Sequence, residues 1–106
     1  MEKPKIYGLS TQEYPKGRID SFDLPKIKDI HNILMPLFVE LGFIEDLVYD
    51  ELDRDFIISN EEYFFVYGEN IKAHIFTKKN SILINLDTSR SREEIIRIFE
   101  KYFELP

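Results

Sequence analysis

Only two histidines occur in the chain, and one of them has company. In Ile71-Lys72-Ala73-His74-Ile75-Phe76 apolar residues hold every odd position, so Lys72, His74 and Phe76 must share the opposite strand face. An imidazole, an ammonium and an aromatic ring on one surface suit a ligand site or a docking surface. A solvated strand face is the plainer reading of the same three residues. His31 lies beside Ile30 on a helical stripe, where a boundary histidine without a role is the expected case. The acids Glu45, Asp46, Asp50, Glu51, Asp53, Asp55, Glu61 and Glu62 are interrupted by a single base, Arg54. Their oxygens suit a hard cation, but the ligand order of a calcium loop around a glycine is missing, and a charged, solvated link is expected.

Other chemistry is excluded by what the chain lacks. There is no cysteine, so disulfides, thiolate metal sites and cysteine nucleophiles are ruled out. No nucleophile elbow, Walker loop or dinucleotide-binding glycine pattern is present. The net charge is −6 and no run of Lys or Arg exceeds two residues, which removes the electrostatic footprint of a nucleic-acid binder. Without bases around them, Tyr63, Phe64, Phe65 and Tyr67 are expected to pack in the core and across strands rather than to stack on nucleobases. No apolar run approaches the roughly 20 residues that span a bilayer, and MEKPKIYG lacks the apolar centre of a signal peptide, so a cytoplasmic protein without membrane contact is expected. No cofactor or metal is implied.

The elements that position these residues are readable from period and punctuation. With 43% hydrophobic residues, 9 Phe and 6 Tyr in 106 residues, the chain is expected to fold around one core. Residues 55 to 87 read as four short β-segments, Asp55–Ser59, Tyr63–Tyr67, Ile71–Phe76 and Ser81–Leu86, arranged as an antiparallel meander. Gly68-Glu69-Asn70 and Lys78-Lys79-Asn80 are the hairpin links. Tyr63–Tyr67 is apolar on both faces and therefore predicts a central or doubly covered strand.

Apolar residues at Ile27, Ile30, Ile33, Leu34, Leu37, Phe38 and Leu41 predict an amphipathic helix over Lys26–Leu41. Asp23 is its candidate N-cap, Pro25 its first-turn proline and Gly42 its terminator, with a kink expected at Pro36. Leu47–Tyr49 predicts a further strand. Ser91 and Glu94 form a capping-box pattern before a second helix whose buried face is Ile95, Ile96, Ile98, Phe99, Tyr102 and Phe103. Gly17–Phe22 reads as a short first strand, and residues 1–16 as a flexible arm or irregular edge preceding a single domain over 17–106. The expected fold is α+β, a two-layer sandwich of a four- to five-stranded antiparallel meander with two helices on one face.

Gly68–Phe76, the following Ser81–Leu86 and the capped helix resemble the central part of the prokaryotic S-adenosylmethionine decarboxylase family. There a glutamate-serine-histidine cleavage motif enters a strand ending in His-Thr-Trp, and a second strand and a helix follow. The helix Ile27–Leu41 and Leu47–Tyr49 are similar to the family's first half, so the resemblance covers the chain from about Gly17 onward. The family's serine becomes a pyruvoyl group, yet here Glu69 is followed by Asn70 and Ile71, with no serine between Gly68 and Thr77. The family's catalytic cysteine has no counterpart either. The resemblance therefore implies the fold and the dimeric association of such domains, not decarboxylation, and His74 is the one position of functional type that matches. The expected function is non-catalytic, through association with a protein partner or a second copy across the open sheet face or an edge strand. The alternative is a small-ligand protein or enzyme using His74.

Overall fold

The computed structural model describes residues 2–44, 61 and 63–106. Five strands form one antiparallel sheet: β1 (Gly8–Tyr14), β2 (Gly17–Pro25), β3 (Tyr63–Gly68), β4 (Ile71–Thr77) and β5 (Ser81–Thr88). Their order is β1-β2-β5-β4-β3. Helix α1 (Ile30–Leu41) connects β2 towards β3, and α2 (Arg92–Glu100) follows β5. β3, β4 and β5 are the expected meander, whereas the outer pair β1–β2 is an N-terminal hairpin that docks on β5 through β2.

Alternation explains which face is covered. Phe22 and Leu24 of β2, Ala73 and Ile75 of β4, and Ile82, Ile84 and Leu86 of β5 are buried on one side, with the buried stripes of both helices in the same cluster. α1 contributes Ile30, Leu34, Leu37, Phe38 and Leu41, and α2 contributes Ile95, Ile98 and Phe99. At the centre the rings of Phe22 and Phe99 stack at 3.7 Å, a pair that unites sheet and helix. Each such buried side chain is worth roughly 1.5–3 kcal/mol. The result is an α+β sandwich whose other sheet face is open among the described residues.

Several local expectations change. Residues 2–16 form a regular edge of the sheet rather than a flexible arm or an irregular edge: Gly8–Tyr14 pair with β2, Pro15 and Lys16 make the turn, and Ile6 is buried. Ile6 N donates to Glu104 O and Glu104 N to Pro4 O, so both chain ends are tied together. β1 escapes a pattern-based reading because, as an outer strand, it buries almost nothing.

The first helix begins at Ile30, not Lys26, and Asp23 and Pro25 belong to β2. Extending β2 buries Leu24 completely, and Pro25 sits at the strand's end, where its missing N–H costs least. Ile27, left outside the helix, is exposed. Pro36 lies inside α1, which runs unbroken to Gly42. That glycine adopts φ 111°, and the N–H groups of Gly42 and Phe43 close the helix onto Val39 O and Phe38 O. Ser91 Oγ accepts from Glu94 N as expected, but the Glu94 carboxylate turns to Arg90 instead of returning to the cap. The strand expectations for Leu47–Tyr49 and Asp55–Ser59 lie outside the described residues.

Candidate functional site

Register places the open face. Tyr63, Phe65 and Tyr67 of β3 lie opposite Phe76, His74 and Lys72 of β4, which face Leu83, Asn85 and Asp87 of β5. Asn85 in turn faces Ser21 of β2. Lys72, His74 and Phe76 are thus on the uncovered face as their spacing requires, but each has a different fate. Lys72 is exposed and its Nζ lies 3.7 Å from Asp87 Oδ2, an exposed pair worth about 0–1 kcal/mol. Phe76 is half-buried. His74 is half-buried beneath rings.

Those rings are the feature that the sequence reading assigned elsewhere. Tyr63, Phe65 and Tyr67 are 59%, 45% and 57% exposed, and β3 is outermost among the described strands, not central. Phe65 stacks on the His74 imidazole at 4.1 Å with the planes 16° apart. Tyr63 meets His74 edge-on at 5.1 Å, and Phe76 lies tilted 4.4 Å from it. Phe65 and Tyr67 continue the stack at 6.1 Å. Aromatic area of this kind is common at association surfaces, since rings offer contact area at small entropic cost. The signal was present in the sequence: the two-residue link Glu69-Asn70, with Asn70 at φ 59°, forces the odd residues of β3 onto the face of Lys72 and His74.

Beside the rings the twisted sheet forms a hollow of about 330 Å³, floored by Ile19, Ser21, His74 and Asn85 and walled by Phe65, Lys72 and Asp87, with Gln12 and Tyr14 at the far rim. Ser21 Oγ donates to Asn85 Oδ1 at 2.7 Å. His74 Nε2 and, further along the face, Asp23 Oδ1 are buried and have no hydrogen-bond partner among the described residues. Such atoms are costly to leave alone, by about 1–3 kcal/mol.

No family model, no curated protein and no solved structure matches this chain. The site is therefore read from its own residues. His31 is half-buried on α1, in the helical layer and away from the hollow. Of the acidic stretch only Glu61 is described, and it is exposed. No group of three metal-ligating side chains occurs among the described residues. No helix among them is long and apolar enough to cross a membrane.

The helical side carries the perturbed ionisable groups. Tyr102 Oη donates to Glu40 Oε1 at 2.8 Å and Lys101 Nζ to Oε2 at 3.1 Å, and these two bonds hold the Glu40 carboxyl below the usual glutamate range. Desolvation, then the same bond to Glu40, raises the Tyr102 phenol. Glu94 is held low by its 2.8 Å bond from Arg90. Arg90 also donates to the Leu41 and Glu40 carbonyls at 2.9 and 3.3 Å, capping α1 from the start of α2. Arg18 donates to Arg90 O and pairs with the buried Asp20, which also accepts from Thr11. These bonds brace the two layers and leave the open face without a structural partner among the described residues.

Proposed function

We propose that the chain is a non-catalytic cytoplasmic binding domain that associates with another protein, or with a second copy, through the open face of its sheet. The observation that carries the reading is the uncovered run of Tyr63, Phe65 and Tyr67 against Lys72, His74 and Phe76. A face of this kind, with no structural duty to the core, is retained at a cost in solubility and suits a partner that covers it. The outer edge of β3 supports the reading less well, because Phe43 already pairs with Gly68 there.

A small-ligand protein of S-adenosylmethionine decarboxylase-like fold is the second reading. It is favoured by the hollow at His74, since a flat surface there would have removed its support. The missing serine and cysteine still argue against the family's chemistry.

Light scattering across a dilution series, with and without S-adenosylmethionine, separates these readings. The first expects a concentration-dependent dimer indifferent to the compound, or a monomer that captures a protein lost to a Lys72→Ala/His74→Ala/Phe76→Ala variant that still unfolds cooperatively. Association that survives the triple substitution refutes this face. A constant monomer whose melting temperature rises with the compound supports the second reading.

A further inference from the structure

The two outer strands of the sheet end differently. Beyond β3 the isolated pairing of Phe43 with Gly68 occupies part of the edge, whereas no described strand lies beyond β1. β1 is seven residues long, against about five to six for a usual strand, and its register with β2 runs unbroken from Gly8 opposite Asp23 to Tyr14 opposite Gly17. Edge strands are normally guarded against other strands by lysine, proline, a bulge or shortness. β1 has none of these, and its single charge is Glu13. Which of its backbone groups point outward follows from a bond at the far end of β2. Lys26 N donates to Asn80 O in continuation of the β2–β5 register, so even-numbered residues of β2 bond to β5 and odd-numbered ones to β1. The partners of the odd set on β1 are Gly8, Ser10, Gln12 and Tyr14. The N–H and C=O groups of Leu9, Thr11 and Glu13 therefore face away from the sheet.

We infer that this edge pairs antiparallel with β1 of a second copy, about a two-fold axis at Thr11, joining the two five-stranded sheets edge to edge. The occupant follows from the fit of the edge to itself. With Thr11 opposite Thr11, Leu9 of each copy stands opposite Glu13 of the other, and every outward N–H meets an outward C=O. No other antiparallel register uses all three residues. This one also keeps the two Glu13 carboxylates about 13 Å apart along the strands, past the Debye length of about 8 Å at physiological salt. A register centred on Glu13 would set them face to face. On the side of the open face, Ser10 stands opposite Gln12, two exposed polar side chains that can hydrogen-bond. Tyr14 stands opposite Gly8, where nothing lies within 4 Å of the Cβ position and the exposed ring has room. One edge is small beside the about 1,200–2,000 Å² of a stable interface, so the dimer is weak and concentration-dependent. It uses a different surface from the open face and does not cover that face on either copy.

Light scattering over a dilution series from about 1 mM gives the dissociation constant, and amide hydrogen exchange locates the contact. The N–H groups of Leu9, Thr11 and Glu13 are expected to be protected at high concentration and to exchange freely on dilution, while that of Ser10, bonded to β2, stays protected throughout. Glu13→Pro deletes an outward N–H at an exposed edge position that tolerates proline, and should weaken the dimer about tenfold or more. Ser10→Glu/Gln12→Glu sets like charges opposite each other in both Ser10–Gln12 pairs. It is expected to weaken the dimer by a similar factor, and Ser10→Lys/Gln12→Glu to restore it. Where Glu13→Pro does not fold, the glutamate pair decides alone. A chain that stays monomeric at the top of the series overturns the proposal, and so does a dimer as tight with the glutamate pair as without it. A dimer that is lost with the glutamate pair but survives Lys72→Ala/His74→Ala/Phe76→Ala is the one inferred. It removes the open face as the contact between copies and leaves that face to be decided by protein capture.

Discussion

Gly68→Ala tests how β3, and with it the aromatic face, is held to the rest of the molecule. A Cβ built at Gly68 meets Gly42 O at 2.6 Å, Ile71 Cγ2 at 2.8 Å and Gly42 C at 3.1 Å. Ile71 is β-branched and buried, so it has little freedom to turn aside. The Gly42 carbonyl belongs to the left-handed cap of α1, and moving it disturbs the bonds to Phe38 O and Val39 O. Overpacking of this kind costs about 1–3 kcal/mol, against which alanine regains about 0.4–1 kcal/mol by restricting the unfolded chain. The net loss of about 1–2 kcal/mol corresponds to a melting temperature lower by roughly 5–15 °C for a domain of this size. Gly8→Ala is the internal control, since nothing lies within 4 Å of a Cβ there and β1 accepts a side chain. Thermal unfolding by circular dichroism reads both. A Gly68→Ala protein as stable as Gly8→Ala would mean that the close approach of α1's end to β3 does not exist as described.

Arg90→Ala removes the guanidinium shared by the Glu40 and Leu41 carbonyls and the Glu94 carboxylate, so a loss of about 1–2 kcal/mol is expected in urea unfolding. Arg90→Lys should recover only part of it, because an ammonium cannot bridge the three acceptors as a planar fork does. Glu40 is depressed in the folded state, so its contribution is present above the unfolded glutamate range and lost as pH falls through the lower folded value. The stability gap between the wild type and Tyr102→Phe should therefore close on acidification. Tyr102 is raised, so in an alkaline ultraviolet titration Glu40→Gln should bring its ionisation to lower pH, part of the way back, desolvation remaining.

Much of the frame was legible because burial leaves a period. β4 and β5 alternate, α1 repeats every three to four residues, and Gly42 and Ser91 punctuate the helices as left-handed cap and N-cap. Legibility failed where burial was slight or competed for. β1 leaves no alternation because it is an outer strand. Pro25 and Asp23 looked like a helix start until the burial of Leu24 and Pro25 against β5 drew the chain into the sheet. Tyr63–Tyr67 suggested a central strand because apolar character on both faces reads as double burial, whereas here one row of rings stays in solvent.

Local sequence thus determined the strand faces and helix stripes, and it put Lys72, His74 and Phe76 on one surface, since the side-chain period of a strand is fixed by its backbone. It could not bring Ser21 to Asn85 or Phe22 to Ile84. Those contacts depend on which strands become neighbours, and the docking of the β1–β2 hairpin on β5 was decided by the shared core of Phe22, Leu24, Ile82 and Ile84. The hollow, which needs Ser21 and Ile19 of β2 beside Asn85 and Asp87 of β5, is a consequence of that long-range pairing, which leaves no period in the sequence.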